Sequence, residues 1–354
     1  MTVRLIDVET TIDPDTEKES KVVTVLATYR VCRKVLTDNS PVFNACLRIW
    51  TMESKQTVLD IQDGTVKSWE LWFRILHDRM VPEMHEVEVK EIYEAIEICG
   101  YRRMDIQRLV DWSPKWFLNQ KIDKISLNDM RSLLYVAKEL DRIKEFHFMT
   151  RKLAYGMSHH VQEENPSRHR HLHLPHAVMG ALNAARGSLH SKLLKGVFDP
   201  IDWFLDQKCS CRADSHFAYS SGLRKIGIWP IESCNKKSVQ EILDSFDKFV
   251  CEIPKNACME CKSHLSSTTI AHIRNSVQSH FGGLCLDCME NSGEESEARF
   301  VYYRNDVKKA WDSVCRISHG QSSWYWSNMG KKEVMQAHQE RKKRAYENRQ
   351  RFGF

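Results

Sequence analysis

The chain has 354 residues, 42% of them hydrophobic, with a formal net charge of +5 and twelve cysteines. That length and apolar content support packed cores for two or three domains. No run approaches the ~18 apolar residues of a membrane span, and Met1 to Thr10 lacks the basic start and apolar core of a signal peptide, so an intracellular protein of nucleus or cytoplasm is expected. In that reducing setting the cysteines point to metal ligation and buried thiols rather than disulfides.

In chain order, Val3 to Val8 reads as a strand, followed by an acidic loop from Glu9 to Glu19. The run from Lys21 to Cys32 is rich in β-branched residues and reads as a second strand. Lys34 to Leu47 turns helical, with Ser40 as an N-cap and Pro41 at a first helical position. Thr57 to Gln62 alternates as a short strand ending at Asp63 and Gly64. Beyond it, Trp69, Trp72, Phe73 and Leu76 recur at helical spacing, as do Val89, Ile92, Ile96 and Cys99. The expected order is strand, strand, helix, strand, helix, helix.

That order, with the words VCRKVLTDNSPVF (31–43), VLDIQD (58–63), WFRILH (72–77) and IYEAIEICGY (92–101), resembles the BTB/POZ domain over residues 20–115. Cys99-Gly100 departs from the Asp-Lys usual in the family's last word. The resemblance implies an α+β domain that binds proteins, by self-association as a homodimer or by recruitment to a cullin scaffold as a ubiquitin ligase adaptor.

From Pro114 to Asp206 the pattern is helical. Leu133, Val136, Ala137 and Leu140 form one apolar stripe, and a further helix starts near Pro175 and runs through Ala177, Val178 and Leu182. Between them, residues 165–176 read as a Pro-flanked linker. The later words from Gly283 to Cys288 and from Cys315 to Trp326 resemble the C-terminal half of BTB proteins common in filamentous fungi, which carries no activity to transfer. The whole reads as α+β, mostly helical. Residues 1–19 form an acidic strand and loop, 20–115 the BTB/POZ-like domain, 116–206 a helical extension, 207–330 a Cys-rich zinc-binding module and 331–354 a basic tail.

The most specific chemical signal is the pair of Cys-x-x-Cys motifs, Cys258/Cys261 and Cys285/Cys288. Thiolates at that spacing sit on a tight turn with both sulfurs aimed at one ion, so the four are expected to converge on a single structural zinc. A helix from Ser266 to His280, with Ile270, Ile273 and Val277 on one side and Gly282-Gly283 ending it, would return Cys285 to the first pair. His264 is not needed in that shell. Cys209, Cys211, His216, Cys234 and Cys251 suggest a second closed site, but lacking a second tight pair they read better as core or surface thiols. Cys32, Cys46, Cys99 and Cys315 fall on apolar positions as small hydrophobes. His169, His171, His173 and His176 read as a solvated linker without partner carboxylates.

No nucleophile elbow, P-loop, dinucleotide fingerprint or zinc-protease motif is present, so no catalytic residue is assigned and an enzyme is not expected. The tail from Lys331 to Phe354 holds eight basic residues against three acidic ones and carries the whole excess of positive charge. It gives an alternative reading as a nucleic-acid-associated regulator, binding through the zinc module, the tail and the aromatics Trp324, Tyr325 and Trp326.

Overall fold

The computed structural model describes residues 1–12, 19–53, 57–292, 315–317, 319, 321–323 and 327–329. The inner part of the acidic loop, the Trp324 to Trp326 aromatics and the basic tail lie outside them. The chain is α+β and mostly helical, and it divides into two compact units. One comprises Met1–Arg142 with Glu164–His173; the other comprises Ile143–Glu163 and the chain from Leu174 on. Among the described residues no helix is long and apolar enough to cross a membrane.

In the first unit, β1 (Thr2–Ile12) pairs antiparallel with β2 (Glu19–Arg30) and parallel with β3 (Val58–Ile61), giving the sheet order β2-β1-β3. The alternation of β1 and β3 explains why this pairing is stable. Val3, Leu5, Leu59 and Ile61 point inward and are buried, while Arg4 on the opposite face forms a bidentate pair with Asp60 at 2.7 Å.

The expected helix after β2 is broken in two, α1 (Arg33–Asn39) and α2 (Pro41–Glu53). Ser40 is the cause: its Oγ accepts from the Phe43 N–H at 3.1 Å and donates to the Arg102 carbonyl at 2.6 Å. Pro41 then starts the new helix at the position where its missing N–H costs nothing.

α3 (Val66–Leu76), α4 (Val89–Arg102), α5 (Gln107–Gln120) and α6 (Leu127–Glu139) complete this unit. Three of its core tryptophans have their ring nitrogens satisfied inside it. Trp69 Nε1 donates to Asp63 O, Trp72 Nε1 to Ala95 O and Trp116 Nε1 to Val87 O, all within 2.8 Å. A buried indole contributes most when its N–H finds a partner, and here the carbonyls belong to the turn after β3, to α4 and to the segment leading into α4.

The histidine-rich segment is not the free linker expected from its composition. His169 Nε2 donates to Glu94 Oε2 at 2.9 Å, and His171 Nε2 to Glu97 Oε2 at 2.8 Å. Glu94 is 2% exposed, so His169 serves as the partner of a buried carboxylate. Two features prepare the contact. Glu94 and Glu97 lie one turn apart on α4, and Asn165 folds the segment by donating to the His169 and Leu172 carbonyls, each at 2.9 Å.

In the second unit, α7 (Ile143–Gly156) and the 31-residue α8 (His176–Asp206) are followed by α9 (Arg212–Lys225), α10 (Val239–Ser245), α11 (Met259–Leu265) and α12 (Ser267–Gln278). Along α8, Val178, Leu182, Ala185, Leu189, Leu193, Val197 and Phe204 form one buried stripe at steps of three, four or seven residues. β4 (Phe281–Leu284), α13 (Leu286–Ser292), β5 (Gln321–Ser323) and β6 (Ser327–Met329) follow, with sheet order β4-β6-β5.

Gly282 and Gly283 do not end α12 as expected; they lie inside β4. Gly283 has φ +129°, and a Cβ there would stand 2.1 Å from the His147 carbonyl oxygen, so only glycine lets β4 lie this close to α7. Thr150 Oγ1 holds the strand there by accepting from the Leu284 N–H at 2.9 Å, one residue before Cys285.

Candidate metal centres

Among the described residues two clusters of potential ligands form in the second unit, each built by one Cys-x-x-Cys pair and a partner set from elsewhere in the chain. The first contains Cys209, Cys211, Cys258 and Cys261; the second contains Cys285, Cys288, Cys315 and His319. Within each, the four ligand atoms lie within 4.8 Å of one another.

Local structure explains the aim of the sulfurs. Cys209 follows the end of α8, and Cys211 is the residue before α9. Cys258 caps α11, with its Sγ accepting from the Cys261 N–H at 3.5 Å, while the Cys258 N–H donates to Cys211 Sγ at 3.3 Å. In the second cluster Cys285 leaves β4 and Cys288 lies in the first turn of α13. Asp287, between them, accepts from the Arg316 N–H at 2.7 Å and from its guanidinium at 2.6 and 2.9 Å, which fixes the chain beside Cys315.

The spacings match a tetrahedral ion. A metal–sulfur bond of ~2.3 Å places neighbouring ligand sulfurs ~3.8 Å apart. In the first cluster, Cys209 to Cys211, Cys209 to Cys261 and Cys211 to Cys261 are 3.5, 3.6 and 3.8 Å. In the second, Cys288 Sγ lies 3.6 Å from Cys315 Sγ and 3.4 Å from His319 Nε2. Non-bonded thiols packed for apolar contact have no need to converge four at a time, and the buried His319 (6% exposed) points its nitrogen at sulfur rather than at water.

The ionisation pattern also suits a cation. In the first cluster the Cys258 N–H brings Cys211 down to about 7, whereas burial pushes Cys261 up to about 12. In the second, hydrogen bonds from Cys288, then His319, bring Cys285 down to about 4. Cys288 is forced upward by its bond to Cys285 and by burial, and burial lifts Cys315 to about 12. Cys211 and Cys285 are thus drawn toward the thiolate while Cys261, Cys288 and Cys315 are held back from it, and a divalent ion removes that opposition.

No family model matches the chain, and comparison with curated proteins and with solved structures found no match.

The single site expected from Cys258, Cys261, Cys285 and Cys288 is therefore corrected: the two pairs belong to different clusters. The reason is the course of the chain, because β4 carries Cys285 and Cys288 against α7 while α11 packs against α9. Cys209 and Cys211, read as core or surface thiols, supply the other half of the first cluster, and Cys315, read as a small hydrophobe, is part of the second. His319 went unassigned, although Cys315-x-x-x-His319 after a Cys-x-x-Cys is a ligand spacing that could have found it.

His216, Cys234 and Cys251 join neither cluster. Cys234 is buried and donates to the Ile228 carbonyl at 3.3 Å. His264 stacks on Trp203 with ring centroids 3.8 Å apart. Cys99 is buried as expected, but Cys32 is exposed.

Proposed function

We propose that this chain is a protein-interaction module without catalytic activity, pairing a BTB/POZ-like unit with a second unit whose fold is completed by two structural zinc ions. The observation that carries the zinc reading is the donor set itself. Four ligands at tetrahedral spacing fill the shell of an ion and leave no position for water or substrate, and thiolate-rich sets favour zinc among the common divalent ions. Each ion would tie together parts of the chain far apart in sequence, Cys209 to Cys261 in one case and Cys285 to His319 in the other.

In support of the interaction reading, the first unit runs strand, strand, two helices, strand and then helices, which is the order expected from the BTB/POZ resemblance with its first helix divided at Ser40, and β1 is central between an antiparallel and a parallel neighbour. The partners this implies are a second copy of the chain or a cullin scaffold. The test is made on the purified full chain: light scattering for a dimer, and capture of a recombinant cullin N-terminal region. A dimer or a stable cullin complex supports the proposal. A monomer that ignores the scaffold but retains DNA or RNA in a salt-sensitive manner overturns it in favour of the nucleic-acid reading.

A further inference from the structure

In the first cluster the sulfurs are not equally supplied with hydrogen-bond donors. Cys211 Sγ accepts from the Cys258 N–H at 3.3 Å, and Cys258 Sγ from the Cys261 N–H at 3.5 Å. Cys261 Sγ receives no backbone N–H among the described residues; its hydrogen-bond neighbours there are the thiols of Cys209 and Cys211. It is also the most deeply placed of the four, with Cys261 0% exposed.

Against that sulfur stands a hydroxyl that lacks an acceptor. Ser215 is 0% exposed, and its Oγ has no hydrogen-bond partner among the described residues. Serine in a helix commonly bonds the carbonyl four residues back. Ser215 Oγ makes no such bond among the described residues; one turn after Cys211 on α9, which packs against α11, it stands beside Cys261 instead. The same helical turn thus carries a ligand at Cys211 and an orphaned hydroxyl at Ser215.

The two deficits answer one another once an ion is present. Four thiolates around a divalent ion leave a net charge of about −2 in a partly buried place, which is costly unless donors face the sulfurs. A buried hydroxyl without an acceptor keeps its desolvation penalty uncompensated. A thiolate at Cys261 would accept the Ser215 proton; a neutral, unliganded thiol is a poor acceptor. We propose that the Ser215 hydroxyl donates a hydrogen bond to the Cys261 thiolate when the first cluster holds its metal, making Ser215 a positioning residue of that centre.

This rests on the reading of the first cluster as a metal site, and the experiment separates the two. Wild-type full chain is loaded with Co²⁺ or Zn²⁺. Its stoichiometry by native mass spectrometry tests the site before any variant is compared, and no metal at the first cluster overturns both ideas. With metal present, Ser215→Ala should weaken Zn²⁺ retention at this cluster by about 10–100-fold against a chromophoric chelator. The sulfur-to-cobalt charge-transfer band should shift, while the second cluster stays loaded. Ser215→Thr and Ser215→Val, nearly equal in size, separate hydroxyl from volume: the threonine variant should keep wild-type affinity and band, and the valine variant should lose both. Wild-type affinity and an unshifted band in the alanine or valine variant would overturn the proposal, as would equal losses in the threonine and valine variants.

Discussion

Replacing Gly283 by alanine should destabilise the second unit severely, whereas the same change at the preceding residue should be almost silent. At φ +129° a residue with a Cβ is strained by about 1–3 kcal/mol. The new Cβ would also meet the His147 carbonyl oxygen at 2.1 Å and its carbon at 2.9 Å, both backbone atoms of α7 that cannot swing aside. β4 must then retreat and loosen the buried bond from the Leu284 N–H to Thr150 Oγ1, a further 1–3 kcal/mol or so. The sum is about 2–6 kcal/mol, which for a unit of this size lowers Tm by roughly 10 °C. A Cβ on Gly282 meets only the His147 ring, at 3.5 Å, and its backbone needs no left-handed conformation. Thermal and urea unfolding followed by circular dichroism compare the two variants. Equal melting of the two, or wild-type behaviour of Gly283→Ala, would refute the close packing of β4 on α7.

Three further outcomes are expected. His169→Ala leaves the Glu94 carboxylate buried without its partner and should cost about 1–3 kcal/mol in urea unfolding; adding Glu94→Gln should recover part of it, and additive losses would contradict the pairing. Ser40→Ala removes both the cap of α2 and the bond to the Arg102 carbonyl, so a loss of about 1–2 kcal/mol is expected, and an unchanged unfolding midpoint would speak against it. Burial lowers the pKa of His280, whose ring nitrogen meets Ser188 Oγ at 3.0 Å. A histidine held neutral in the fold contributes stability that is complete above its unfolded pKa of about 6.5 and is lost as pH falls below it, so unfolding midpoints should drop from pH 6.5 downward and His280→Gln should flatten that slope.

The residues that were legible in the sequence are those whose role is local. The Ser40-Pro41 break, the alternation of β3, the tryptophan spacing of α3 and the stripe of α8 each follow from a pattern within one element. Cys-x-x-Cys likewise announces a ligand pair because its geometry is set by one turn. What the sequence left open is which pair meets which partner, since that depends on the route of the chain. Cys209-Ser-Cys211 and Cys315-x-x-x-His319 are loose spacings that become ligand sets only when α9 meets α11 and when Arg316 is tied to Asp287. Gly282-Gly283 looked like a helix stop for the same reason: its role is to let a strand approach a helix more than 130 residues earlier, at His147. The histidine segment departs from a solvated linker because its carboxylate partners, Glu94 and Glu97, lie on α4, far back in sequence.

The most direct test of the two-centre arrangement is native mass spectrometry of the full chain with Cys261→Ser and Cys288→Ser beside wild type. The arrangement requires two zinc ions in wild type and one in each variant, with Cys209→Ser matching Cys261→Ser and His319→Ala matching Cys288→Ser. One zinc in wild type, lost alike on mutation of Cys261 or Cys288 and untouched by Cys209 or His319, would contradict it and restore a single four-thiolate site.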